Sequence, residues 1–191
     1  MKHGRAVLKG NLEPLPNLYL VGFMGTGKSS IGRRLAARFG LRFIDSDEEI
    51  EKSSGLSVKE IFAKYGEEKF REMERDFIEN GHPKSGCVVS CGGGLVCRDG
   101  MPELVKSRGV SIVLFAEPEV IFRRVSLSKT RPLLNVENPM ERICELLDKR
   151  SKYYKRSGVC VSSSGNPNDV EDRVARIYAG RVKNMRKHGQ D

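Results

Sequence analysis

Tryptophan is absent from this 191-residue chain, and aromatic residues of all kinds make up only 7% of it. Single-stranded nucleic acid is usually gripped by aromatics interleaved with basic residues, so the composition speaks against that class of partner. Histidine is scarce as well, with residues at positions 3, 82 and 188 only. Two of the three lie near the termini, which argues against a His/Cys zinc centre. The cysteines (Cys87, Cys91, Cys97, Cys144 and Cys160) are odd in number and contain no C-x-x-C pair. They read as buried free thiols of a reducing compartment, four of them lying in or beside apolar stretches. No apolar run approaches the roughly 18–20 residues that cross a bilayer. The opening, MKHGRAVLKGNLEPLPN, is basic but has no apolar block behind it, so it does not read as a secretory signal. These absences lead to the expectation of a cytoplasmic chain with no membrane partner.

The surplus of basic residues is what remains to be explained. A net charge of +9 suits nucleic acid, through counterion release. It suits equally a site for several anionic groups, with the excess spread over solvated helix faces. A basic cluster does lie near the end (Arg176, Arg181, Lys183, Arg186, Lys187), but the poverty of aromatics favours the second reading. Residues 1–17 are taken as a leader, 18–185 as one domain and 186–191 as a basic tail.

Short apolar runs alternate with longer amphipathic ones. Residues 18–23, 41–45, 87–94, 110–117 and 159–163 read as five strands. Helical text follows the first of these, with Ile31, Leu35 and Phe39 four apart. Ser57 and Glu60 have capping-box spacing. Phe70, Met73 and Phe77 mark one face of the next helix, which ends near Gly81. Pro118 suits a first helical turn, and Val170, Val174 and Ile177 line a closing helix. Strands separated by helices, each strand almost continuously apolar, predict an α/β fold with a parallel sheet covered on both faces. Ligands in such a fold sit beyond the carboxyl ends of the strands. The segments leaving strands one, two and three should therefore converge.

Each of those exits carries chemistry. Gly22-Phe-Met-Gly-Thr-Gly-Lys28-Ser29 fits G-x-x-x-x-G-K-[ST] between a strand and a helix. Its glycines let backbone N–H groups turn inward as an anion nest at a helix N-terminus. Lys28 is placed for the β- and γ-phosphates of a nucleoside triphosphate and Ser29 for Mg²⁺. Asp45 and Asp47 follow strand two. In an extended segment they point to one side, one serving a magnesium shell and the other accepting a proton; the alternative is that Asp47 caps a helix starting at Glu48. Arg71 and Glu74 share a helical face. They form either an exposed ion pair or a fixed guanidinium fork for a carboxylate. Gly92, Gly93 and Gly94 directly follow strand three, and such a run implies close backbone approach or positive φ. Residues 126–139 lack periodicity and read as a linker or a lid, carrying Lys129 and Arg131; a lid arginine can stabilise transferring phosphate. Arg150 follows a helical stretch and could equally be a surface charge.

GFMGTGKSSIGRRLA, FIDSDEEIE, GLSVKEIFAKYGEEKFREMER, CGGGLV, RPLL and DKRSKYY occur in the order and approximate spacing of the shikimate kinases, and over residues 18–180 the chain resembles that family. The resemblance implies a three-layer P-loop fold around a five-stranded parallel sheet in the order 2-3-1-4-5. A substrate-binding region would span about 46–81 and a lid about 126–138. The implied reaction is transfer of the ATP γ-phosphate to the 3-hydroxyl of shikimate, with Mg²⁺, by a monomer that needs no nucleic acid. By the same resemblance Gly25, Thr26, Gly27, Lys28, Ser29 and Ser30 bind ATP, with Arg124 beside the adenine and Arg131 from the lid. Asp47 is the candidate base. Arg71 and Arg150 take the substrate carboxylate, and Gly92, Gly93 and Gly94 give backbone contact. Ser29 ligates the metal directly and Asp45 through water. Two positions depart from the family pattern: Cys91, and the strand-five exit VSSSGNP, where an Asp is common. The rival readings are a gluconate kinase, a non-catalytic ATP-binding module and a nucleic-acid-associated ATPase.

Overall fold

The structure is a computed structural model that describes residues 14–126 and 136–188. Five parallel strands form one sheet in the order β2-β3-β1-β4-β5: β1 (Asn17–Val21), β2 (Arg42–Asp45), β3 (Cys87–Ser90), β4 (Gly109–Phe115) and β5 (Val159–Ser162). The central strands β1 and β3 are buried at every residue, and the edge strands only in part. That is why the inner strands read as unbroken apolar runs.

Alternate residues of β1 face different cores, as strand geometry requires. Leu18 and Leu20 join Ile31 and Leu35 of α1 (Lys28–Phe39) and Val174 and Tyr178 of α7 (Pro167–His188). Tyr19 and Val21 join the opposite core. That core is covered by α2 (Ser46–Ser54), α3 (Val58–Asn80), α4 (Met101–Ser107), α5 (Pro118–Ser126) and α6 (Pro139–Ser157). The sheet therefore lies between two helical layers.

The capping box forms as its spacing requires. Ser57 N donates to Glu60 Oε2 at 2.8 Å, and Ser57 Oγ accepts from Glu60 N at 3.3 Å. The helix it opens is not continuous, because Gly66 (φ 80, ψ 173) breaks α3 ahead of the turn that carries Phe70 and Arg71. Asn17, counted with the leader above, is the first residue of β1, and Tyr178 Oη donates to Pro16 O at 2.6 Å. Helix α7 runs through Arg186 and Lys187 to His188.

The expectation of five buried thiols needs correction. Cys87 and Cys91 are buried and Cys97 is half-buried, but Cys144 and Cys160 are exposed. Cys160 sits on β5, whose outer edge has no partner strand among the described residues. Lys129, Arg131 and most of the expected lid lie outside the described residues. Among those described, no helix is long and apolar enough to cross a membrane.

Candidate active site

The exits of β1, β2 and β3 meet at one end of the sheet. The phosphate loop leaves β1 through Gly22 (φ 140), Gly25 (φ 76) and Gly27 (φ 89), conformations that strain any side chain. Thr26 Oγ1 donates to Phe23 O at 2.7 Å and closes the loop, while Gly27 caps α1. Lys28 is buried, and its Nζ donates to Gly22 O at 2.8 Å and Phe23 O at 2.9 Å. Ser29 and Ser30 are exposed in the first turn of α1. Ser29 Oγ donates to Asp45 Oδ2 at 3.0 Å and lies 3.1 Å from Ser90 Oγ. Ser90 has no part in the sequence reading; it reaches the site because β3 places it in register with both Asp45 and Leu20.

At the end of β2 the carboxylates are arranged differently from the extended pair expected. Helix α2 begins at Ser46, and its cap is Asp45, which accepts from Asp47 N at 3.2 Å. Asp47 thus belongs to the first turn of α2 and is not the cap. Burial, followed by the charge of Asp45, raises its pKa above the usual carboxylate range, while Ser46 and Lys28 oppose the rise.

Arg71 and Glu74 form an ion pair of 2.7 Å with side-chain exposures of 12% and 2%, so it is not the surface pair that spacing alone suggests. Arg71 also holds the exposed Glu67 at 2.8 Å. Burial pushes Glu74 up to about 7 against the pull of Arg71, and the nearby Asp47 adds to the rise. Arg71 further borders a charged cleft of about 420 Å³, with Glu68, Glu72, Arg75, Arg98 and Asp99 around it.

The glycine turn after β3 is explained by close approach, since none of its three residues has positive φ. A methyl group on Gly92 would strike Asp47 Oδ1, and one on Gly94 would lie 2.7 Å from Arg71 Nη1. On Gly93 it would come within 3.3 Å of Met24 N in the phosphate loop. The turn is therefore the surface on which phosphate loop, carboxylate and guanidinium all rest.

From α6, Arg150 Nη1 donates to Gly93 O at 3.3 Å, and its guanidinium lies 5.6 Å from the Phe23 ring centre. Arg150 is thus part of this cluster. Tyr154, one helical turn on, donates to the same Gly93 O at 2.6 Å; its four-residue spacing from Arg150 was the available signal. Arg124 stands apart from the acceptor side. Its Nη1 donates to Gly25 O at 3.2 Å and its Nη2 to Ser163 O at 2.7 Å, tying the phosphate loop to the exit of β5.

A phosphate loop beside a buried carboxylate and two arginines, on this sheet order, defines a P-loop phosphotransferase. The family described as "Shikimate kinase" matches residues 24–179. The shikimate kinase of Thermodesulfovibrio yellowstonii is 43% identical over 165 residues, which are 86% of this chain and 95% of the relative. The solved shikimate kinase of Acinetobacter baumannii, in complex with shikimate, superposes with a TM-score of 0.79 at 34% identity, covering 89% of this chain and 94% of that one. A gluconokinase from Sinorhizobium meliloti shares the fold alone, at 16% identity with a TM-score of 0.64, covering 92% of this chain and 99% of that one. The chain belongs to the shikimate kinase family, whose members are ATP-dependent transferases of aromatic amino acid biosynthesis.

Proposed function

We propose that this chain phosphorylates the 3-hydroxyl of shikimate, with Asp47 as the base and the Gly92–Gly94 turn as the floor of the acceptor pocket. The observation that carries the assignment is the packing of that turn. It touches the phosphate loop at Gly93, Asp47 at Gly92 and Arg71 at Gly94, so donor and acceptor would share one rigid surface. Phosphoryl transfer requires chiefly this, alignment and offset charge.

The phosphates would lie on the backbone amides of Gly25 to Ser30, with Lys28 exchanging its loop carbonyls for phosphate oxygen. Arg124 is suited to pack against the base, and Arg131 is assigned to the transferring phosphate. A rigid cyclic carboxylate suits the fork of Arg71, held by Glu74, with Arg150 beside it. Asp47 would then orient the hydroxyl and accept its proton.

The oxygen donors Ser29 and Asp45, 3.0 Å apart, fit a hard cation that keeps most of its waters. Among the described residues no cluster of three or more His, Cys, Asp or Glu could hold a metal by itself. Mg²⁺ would accordingly arrive with the nucleotide, neutralising phosphate charge. We assign a monomer acting on shikimate and ATP, without nucleic acid or membrane, in the cytoplasm.

The test is ADP release measured with shikimate, gluconate, nucleoside monophosphates or no acceptor, each with and without excess chelator. Release that needs both shikimate and free divalent cation is the expected result. Equal release with gluconate, or release without any acceptor, would overturn the assignment.

A further inference from the structure

We propose that Ser46 and Tyr154 are positioning residues for the acceptor, whose hydroxyls fix the glycine turn from its two ends. Ser46 is fully buried. Its Oγ accepts from Gly92 N at 2.8 Å and stands 3.3 Å from Asp47 Oδ1. A hydroxyl has one proton and two lone pairs. With a lone pair taken by the Gly92 N–H, the proton is directed to the carboxylate, so one side chain couples the base to the turn. Tyr154 acts two peptides further on. Its phenol, buried in α6, donates to Gly93 O at 2.6 Å, where Arg150 also donates. Because the peptide is planar and trans, fixing that carbonyl also fixes the Gly94 N–H, which points the opposite way. Between the two bonds, Gly93 rests against the phosphate-loop backbone. The turn thus cannot tilt away from α6 or away from α2 without breaking one of them.

Neither hydroxyl would touch the substrate; each acts through the turn. The inference rests on the reading of this pocket as the shikimate site. Tyr154→Phe and Ser46→Ala each delete one bond and keep the packing nearly intact. Shikimate KM, and the shikimate Kd from calorimetry without nucleotide, should rise about three- to tenfold in each, the size of one hydrogen bond, with ATP KM changed less than about twofold. In the double variant the shikimate effect should differ from the product of the single effects, since both restrain one element.

Unchanged shikimate constants in Tyr154→Phe would overturn the proposal. So would equal rises for both substrates accompanied by a lowered thermal midpoint, the pattern of general loosening. If Ser46→Ala does not fold, Tyr154→Phe decides alone, because its ring still fills the core. Wild-type enzyme that consumes no shikimate would instead remove the pocket assignment and the inference with it.

Discussion

Asp47 is held where two demands conflict. It must be ionised to accept a proton, yet burial and the neighbouring Asp45 favour its neutral form. Asp47→Asn keeps the shape and deletes the base, and turnover should fall by about 10²–10⁴, with nucleotide affinity little changed. Wild-type turnover in a coupled ADP assay would take the role away from it. Arg71→Lys keeps the charge and loses the planar fork, so shikimate KM should rise more than kcat falls; an unchanged KM would contradict the carboxylate role.

Glu74 gives a pH signature in stability. Its folded pKa, about 7, exceeds the ordinary value of 4.5. Its contribution is therefore full below about 4.5 and is lost as pH rises through about 7. The stability of wild type relative to Glu74→Gln should decline across that window in denaturant titrations at several pH values. A pH-independent difference would mean that folding leaves the Glu74 pKa at its ordinary value. None of this is legible in the sequence, where an exposed ion pair is the usual explanation of the spacing between Arg71 and Glu74. Burial is a property of the third dimension, and a three-residue spacing does not encode it.

At the scale of elements, the strands and the capping box were readable because each follows a local rule: continuous apolar text, or a hydroxyl three residues before an acid. Helix α4 was not assigned from sequence, since seven residues with a proline at the start carry too little periodicity. The alternative start of α2 at Glu48 lies two residues beyond the observed one, because three successive polar residues (Asp45, Ser46, Asp47) all suit a cap and only the backbone decides among them. The break in α3 has a defined cause at Gly66, whose φ of 80 and ψ of 173 are accessible essentially to glycine alone. Gly66→Ala should destabilise the protein by about 1–3 kcal/mol in urea titrations. It should also weaken shikimate binding, because the following turn carries Arg71. Unaltered stability would show that the break relaxes freely.

For the molecule as a whole, the convergence of three strand exits was predictable from parallel topology alone, and the structure bears it out in the sheet order. What topology could not supply was the set of contacts that close the site: Ser90 on Ser29, Ser46 on Gly92, Tyr154 on Gly93. Serines and tyrosines are common in any sequence, and these matter only through the neighbours that folding gives them. Binding to the assembled site should feed back on the fold. At a hundredfold excess of ADP over its Kd, stability should increase by about 2.7 kcal/mol, read as a rise in thermal midpoint. No rise would mean that the nucleotide site is not formed in the native state.

The central place of β1 has a consequence for how the enzyme comes apart. Its amides are bonded to β3 on one side and β4 on the other, and it is buried throughout. Such a strand exchanges hydrogen with solvent only when the whole domain opens. The acceptor half of the site depends instead on α3, interrupted at Gly66, and on α2 beside the edge strand β2. Under mild denaturant the molecule would lose its grip on shikimate while still holding nucleotide, leaving a partly opened form that binds ATP and transfers nothing.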